Sequence, residues 1–127
     1  MATSDDIKAT IDNYRAHFSA DRAAWLALFA EDATVEDPIG SDIRTGHEQI
    51  GDLWDFAHSL SPSIELRAAG PTCVAGNEAA FPFTIVNDFD GTRMAIDVID
   101  VMTFTDDAKI ATMRAFWDMA AMRELEP

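Results

Sequence analysis

Apolar side chains recur at Ile7, Ile11, Tyr14 and Phe18, a helical spacing that predicts a first helix with one buried face. Ser4 is placed to cap it, and Asp5 and Asp6 complement the helix dipole in the first turn. A second helix is expected over 22–30, capped by Asp21 and heavily apolar through Trp25, Leu26, Leu28 and Phe29. A short strand, Ala33-Thr34-Val35-Glu36-Asp37, comes next and is halted by Pro38 and Gly40. A polar loop around Ser41 to Gly46 then leads to a third helix over 47–60, with Ile50, Leu53, Trp54 and Ala57 as its inner face and Pro62 marking its end.

Beyond Pro62 the pattern alternates instead of turning. Strands are predicted over 63–69, 78–87, 92–104 and 109–118, with turns at Asp90-Gly91 and at Thr105-Asp106-Asp107-Ala108. Pro82 falls inside a strand and is expected to form a bulge that bends the sheet. The tail over 119–127 adds at most a short helical turn. Helices first and strands later define an α+β class, with three helices packed on one face of a curved, mostly antiparallel sheet. With 127 residues the chain fits a single domain, 1–127.

Three polar residues stand out against this pattern. Asp37 precedes a proline, so a stiff turn would aim its carboxylate as a base; the same placement also suits a surface turn residue. Tyr14, the only tyrosine, lies on the apolar stripe of the first helix, where a phenol is equally at home as core. Asp100 shares a strand face with Ile96, Val98, Met102 and Phe104, while Asp97 points the other way. An apolar wall penalises the charged carboxylate and favours the acid, which can donate a hydrogen bond. The alternative is a buried carboxylate paired with Arg93 or Arg114, although Arg114 alternates away from Met113, Ala115 and Trp117.

Composition narrows the partners. A net charge of −14 and a pI near 4.2 disfavour nucleic acid, anionic membranes and anionic substrates. No apolar run approaches the roughly 18 residues needed to span a bilayer. The start lacks the basic and apolar parts of a signal peptide, which places the chain in the cytoplasm. Cys73 is the only cysteine, and His17, His47 and His58 show no ligand spacing, so no metal site is expected and the histidines are assigned to the surface.

The run Ala30-Glu31-Asp32-Ala33-Thr34-Val35-Glu36-Asp37-Pro38-Ile39-Gly40-Ser41, with Arg44-Thr45-Gly46, resembles the bacterial ketosteroid isomerases. So do Asn77-Glu78-Ala79-Ala80-Phe81 with Phe83-Thr84, and Met113-Arg114-Ala115 after a strand carrying Ile99-Asp100. The resemblance implies the cone-shaped nuclear transport factor 2-like (SnoaL-like) fold and a catalytic set of Tyr14, Asp37 and Asp100. In that family a carboxyl held neutral by an apolar site is a known instance of pKa tuning, so these roles are the family's and not deductions from spacing. It further implies a small hydrophobic 3-ketosteroid as substrate, no cofactor, and a homodimer formed through the outer face of the sheet. An apolar slot would come from Trp54, Phe81, Phe83, Ile85, Met113, Ala115 and Trp117. Polyketide cyclases of the same fold and a non-catalytic steroid or lipid carrier are the alternatives.

Two departures from the family bear on the site. The positions of tyrosines that support the catalytic phenol in some relatives hold Trp54 and Phe29 here. The segment 57–63 is slightly longer than in close relatives and falls near the expected pocket mouth, where it bears on substrate choice.

Overall fold

The computed structural model describes residues 1–125. Helix α1 (Ser4–Phe18) is followed by α2 (Arg22–Leu26), β1 (Phe29–Glu36), β2 (Arg44–Thr45) and α3 (Gly46–Leu60). The rest is strand: β3 (Ile64–Ala68), β4 (Cys73–Ala75), β5 (Glu78–Phe89), β6 (Thr92–Phe104), β7 (Ile110–Phe116) and β8 (Arg123–Glu124). The order across the sheet is β2-β1-β7-β6-β5-β3, with β4 beside β5 and β8 beside β6. Every pairing is antiparallel except β1 with β7, which is parallel.

The cap of α1 is Thr3 and not Ser4: the Thr3 hydroxyl accepts from the Asp6 N–H at 3.1 Å while Ser4 already lies in the first turn. Ile7, Ile11, Tyr14 and Phe18 are all buried, as their spacing requires. Asp21 caps α2, accepting from Ala24 N–H at 3.0 Å, but this helix stops at Leu26, short of the expected 22–30. The Leu28 carbonyl accepts from Ile110 N–H at 2.9 Å, and Phe29 already pairs with Ile110. Strand pairing with β7 thus takes these backbone groups before another helical turn can form.

Pro82 does not form a bulge. The β5 to β6 ladder runs through it without a register shift, Pro82 lying opposite Ile99. The Pro82 carbonyl accepts from Ala69 N–H at 3.2 Å, so its nitrogen faces the same edge, in the gap where β3 has ended and β4 has not begun. No ladder donor is lost there. Gly70 makes the passage possible, because a Cβ at that position would come within 2.9 Å of the Pro82 ring.

Phe18, Trp25, Phe29 and Trp54 join the three helices to β1, with ring centroids 4.8–5.6 Å apart in tilted or edge-on pairs. Such pairs contribute about 0.5–1.5 kcal/mol each beyond their buried area. An exposed Arg22 to Asp55 pair at 2.9 and 3.1 Å ties α2 to α3. After β7 the tail makes the expected helical turn, a 3-10 turn at Met119–Ala121, and β8 then pairs Arg123 and Glu124 with Ala95 and Met94. The last two residues of the tail lie outside the described residues. No helix among the described residues is long and apolar enough to cross a membrane.

Candidate active site

Strand register assembles the site. On β6, Asp100 lies opposite Ala115 of β7 and, on its other side, opposite Phe81 of β5. On β1, Val35 pairs with Met113 and Glu36 with Arg114, so the chain reaches Asp37 immediately beyond that pair, beside Ala115. Asp37 and Asp100 therefore flank Ala115 on one face of the sheet, two strand spacings apart, or about 10 Å between backbones.

Asp37 is aimed by a braced turn. Its bond to Pro38 is cis, and Ile39 N–H donates to the Ala115 carbonyl at 2.9 Å, continuing the alignment with β7. Gly40 N–H donates to Glu36 Oε2 at 2.9 Å, and Ser41 closes the turn onto the Pro38 carbonyl through its N–H at 3.0 Å and its hydroxyl at 2.6 Å. Gly40 holds φ +96 there, a left-handed geometry that only glycine adopts freely. The Asp37 carboxylate accepts from Trp117 Nε1 at 2.6 Å. Part of its surface still opens to the cavity, yet protein surrounds it closely enough for desolvation to raise its pKa. The Trp117 hydrogen bond and the nearby Arg44 charge oppose that rise by favouring the anion.

Asp100 is fully buried, and among the described residues neither of its oxygens has a hydrogen-bond partner in good geometry. Burial pushes its carboxyl well above the usual carboxylate range, and the Asp37 charge pushes in the same direction. The Tyr14 hydroxyl comes close enough for a loose hydrogen bond that pulls slightly the other way. Among the described residues no arginine pairs with Asp100: Arg114 reaches outward to Glu36 at 3.8 Å and lies over the Phe116 ring. The neutral acid is the form this environment favours. Burial likewise raises the Tyr14 phenol well above its ordinary pKa, followed by the charges of Asp100 and Asp37, so it stays a donor at neutral pH. Its ring is held by Trp25, Phe29 and Phe81 at 6.0–6.3 Å between centroids.

These groups lie along a cavity of about 260 Å³ whose other walls are apolar except at Asn87. Of the residues expected to form the slot, Phe83, Ile85, Ala115 and Trp117 line it. Trp54, Phe81 and Met113 do not and are core residues. Phe81, opposite Asp100, is covered by the Tyr14 ring, and the Arg15 guanidinium lies 5.4 Å from its centroid. Met113 sits one inward position before Ala115, packed beneath β1 through its pairing with Val35. Trp54 turns toward Phe18 and Trp25, while Leu53, Phe56, Ala57 and Leu60 present α3 to the cavity. The segment 57–63 begins as the last turn of α3, so part of the expected loop is helix, and Ala57 and Leu60 border the cavity.

Sequence reasoning gave Arg44 no role at the site and missed the indole bond of Trp117. Arg44 lies on a two-residue strand paired with Val35, too short to leave a periodic signal. The histidines also differ from expectation. His47 places Nε2 2.9 Å from the Phe29 carbonyl, and His58 places Nδ1 2.9 Å from the Trp54 carbonyl while stacking on the Trp54 ring at 4.0 Å. Both are half-buried parts of the fold, each held by a carbonyl within reach of its ring. Among the described residues no three His, Cys, Asp or Glu side chains converge as a metal site would require.

The chain belongs to the SnoaL-like domain family, whose model matches residues 8–113. It is 39% identical over 115 residues to a Steroid Delta-isomerase of Nocardioides simplex, an alignment covering 90% of this chain and 91% of that protein. Among solved structures it is similar to SalBIII, described as an epoxide hydrolase/cyclase-like enzyme with a role in pyran ring formation in polyether salinomycin. The TM-score is 0.89 at 25% identity, covering 98% of this chain and all of that one. The α+β fold expected from the sequence, three helices on a curved, mostly antiparallel sheet, is thus the fold of this family, and its sheet is open and mixed.

Proposed function

We propose that this protein is a steroid delta-isomerase that moves a double bond of a 3-ketosteroid from the beta,gamma to the alpha,beta position. The observation that carries it is the row Asp37, Ala115, Asp100 across three strands, with the Tyr14 phenol beside Asp100 and a mainly apolar cavity in front of them. Asp37, held as an anion by Trp117 and Arg44 yet made more basic by desolvation, removes a proton alpha to the ketone. The electrons pass through the conjugated system to oxygen, giving a dienolate, to which Tyr14 and neutral Asp100 donate hydrogen bonds. Asp37 then returns the same proton at the gamma carbon and is regenerated as the carboxylate. The 39% identity to a named steroid delta-isomerase supports this reaction over others available to the fold.

Likeness to a cyclase-like structure favours, as second reading, acid and base work on a polyketide by the same three residues. One assay separates the possibilities, including a carrier without chemistry. Ultraviolet absorbance should report a conjugated enone growing from a beta,gamma-unsaturated 3-ketosteroid far faster than in buffer. A rate equal to buffer would overturn the proposal. We also propose a homodimer through the sheet's outer face, supported by Ile99 and Phe116, which pair there at 49% and 42% exposure. Sedimentation of a monomer at micromolar concentration would refute it.

A further inference from the structure

The cavity is polar at two places, not one. Apart from the Trp117 indole, its polar lining is Tyr14, Asp37, Arg44, Asp100 and Asn87. The first four act on one another around Asp37 and Asp100. Asn87 stands alone. It lies on β5 opposite Met94 and Ile64, six residues beyond Phe81, which marks the level of Asp100. Residues 81, 83, 85 and 87 share one strand face, and between the two polar places the wall is Phe83 and Ile85 on β5 with Val98 and Ile96 on β6.

The Asn87 side-chain oxygen is buried and, among the described residues, has no hydrogen-bond partner. Buried amides are normally satisfied, and an apolar residue of similar size would serve the fold better at this position. The carboxamide carries both a donor and an acceptor, so rotation lets it meet a ketone or a hydroxyl. Six residues of strand span at most about 20 Å, less where the sheet curves, and a hydrogen bond of about 2.8 Å occupies each end. What remains is on the order of a rigid four-ring skeleton bearing oxygen at both ends.

We infer that Asn87 binds a carbonyl or hydroxyl at the end of the ligand remote from the reacting ketone, the position of an oxygen on the D ring of a steroid. The inference rests on the cavity accepting a 3-ketosteroid and is independent of whether that steroid is isomerised.

The test is calorimetric binding of three saturated 3-ketosteroids, which cannot react: one with a D-ring ketone, one with a D-ring alcohol and one with no D-ring oxygen. In the native protein each D-ring oxygen should improve affinity, relative to the same comparison in Asn87→Leu, by on the order of tenfold, the effect of one neutral hydrogen bond. Thermal melts establish that the variant is folded. Equal affinity ratios in the native protein and Asn87→Leu would overturn the inference, as would failure of all three ligands to bind. Discrimination without turnover of the unsaturated substrate would refute the isomerase proposal and leave the Asn87 assignment standing, whereas turnover without discrimination would do the reverse.

Discussion

Asp97 and Asp100 are three residues apart on β6 and live in opposite worlds. Asp97 faces outward, accepts from Arg123 at 2.7 and 3.3 Å and from the Thr84 hydroxyl at 2.9 Å, and its pKa is lowered by those bonds. Asp100 faces inward, has no well-made hydrogen bond among the described residues, and its pKa is raised well above the ordinary range. The residue type is the same and the backbone is the same strand. What differs is the side of the pleat, and with it whether solvent and a cation can reach the carboxyl. A sheet can therefore keep a soluble acidic exterior and a proton-donating interior on one segment of chain. Asp37 stands between these extremes: desolvation raises its pKa, while the Trp117 hydrogen bond and the Arg44 charge oppose the rise.

The sharpest way to break this comparison is to remove the inward base. Asp37→Asn should cut kcat on the unsaturated ketosteroid by about 10² to 10⁴ while steroid affinity stays near native, since size and shape are kept. Asp97→Asn, an outward change of the same chemistry, should leave kcat unchanged. A near-native kcat in Asp37→Asn would make Asp37 a turn residue. Next in size are the donors: Tyr14→Phe and Asp100→Ala should each lose about 10² to 10³ in kcat. Asp100→Asn keeps a donor in place and should stay within about tenfold of native. Equal losses in Asp100→Ala and Asp100→Asn would show that Asp100 acts by its charge and not as a neutral donor.

Periodicity made the inward faces readable, which is why β6 matches its expected bounds, why the apolar stripe of α1 is buried and why Asp100 stands out against its apolar neighbours on one strand face. It could not say what those faces meet. Phe81, Met113 and Trp54 are on inward faces and end in packed core, because the cavity opens only past Ala115 and Phe83. Contacts between distant segments were equally illegible. The end of α2 is set by Ile110, the fate of Pro82 by a gap between two partner strands, and the state of Asp37 by Trp117, eighty residues on. The roles of Tyr14, Asp37 and Asp100 came from a family resemblance, and register then gave a physical reason for their meeting.

The smallest expected effect is the most direct comparison of the two carboxyls, through the pH dependence of stability. Asp97 has a lowered pKa in the folded state, so its contribution is present above the unfolded value of about 3.9 and disappears as pH falls through the lowered one. Being exposed, a pair of this kind is worth only about 0–1 kcal/mol. Asp97→Asn should therefore lower the melting temperature slightly at neutral pH, and the deficit should close in acid. Asp100 has the opposite sign. Its raised folded pKa gives a contribution that is complete below the unfolded value and is lost as pH rises through the raised one, because only the unfolded chain then releases the proton freely. Asp100→Asn cannot ionise, so its stability relative to the native protein should climb as pH rises from about 4 through neutrality. Relative to the native protein, Asp97→Asn should thus change only in acid, below about pH 4, and run level above it, whereas Asp100→Asn should change only above about pH 4. If Asp100→Asn instead runs parallel to the native protein, Asp100 is already ionised at an ordinary pKa and cannot donate to an enolate.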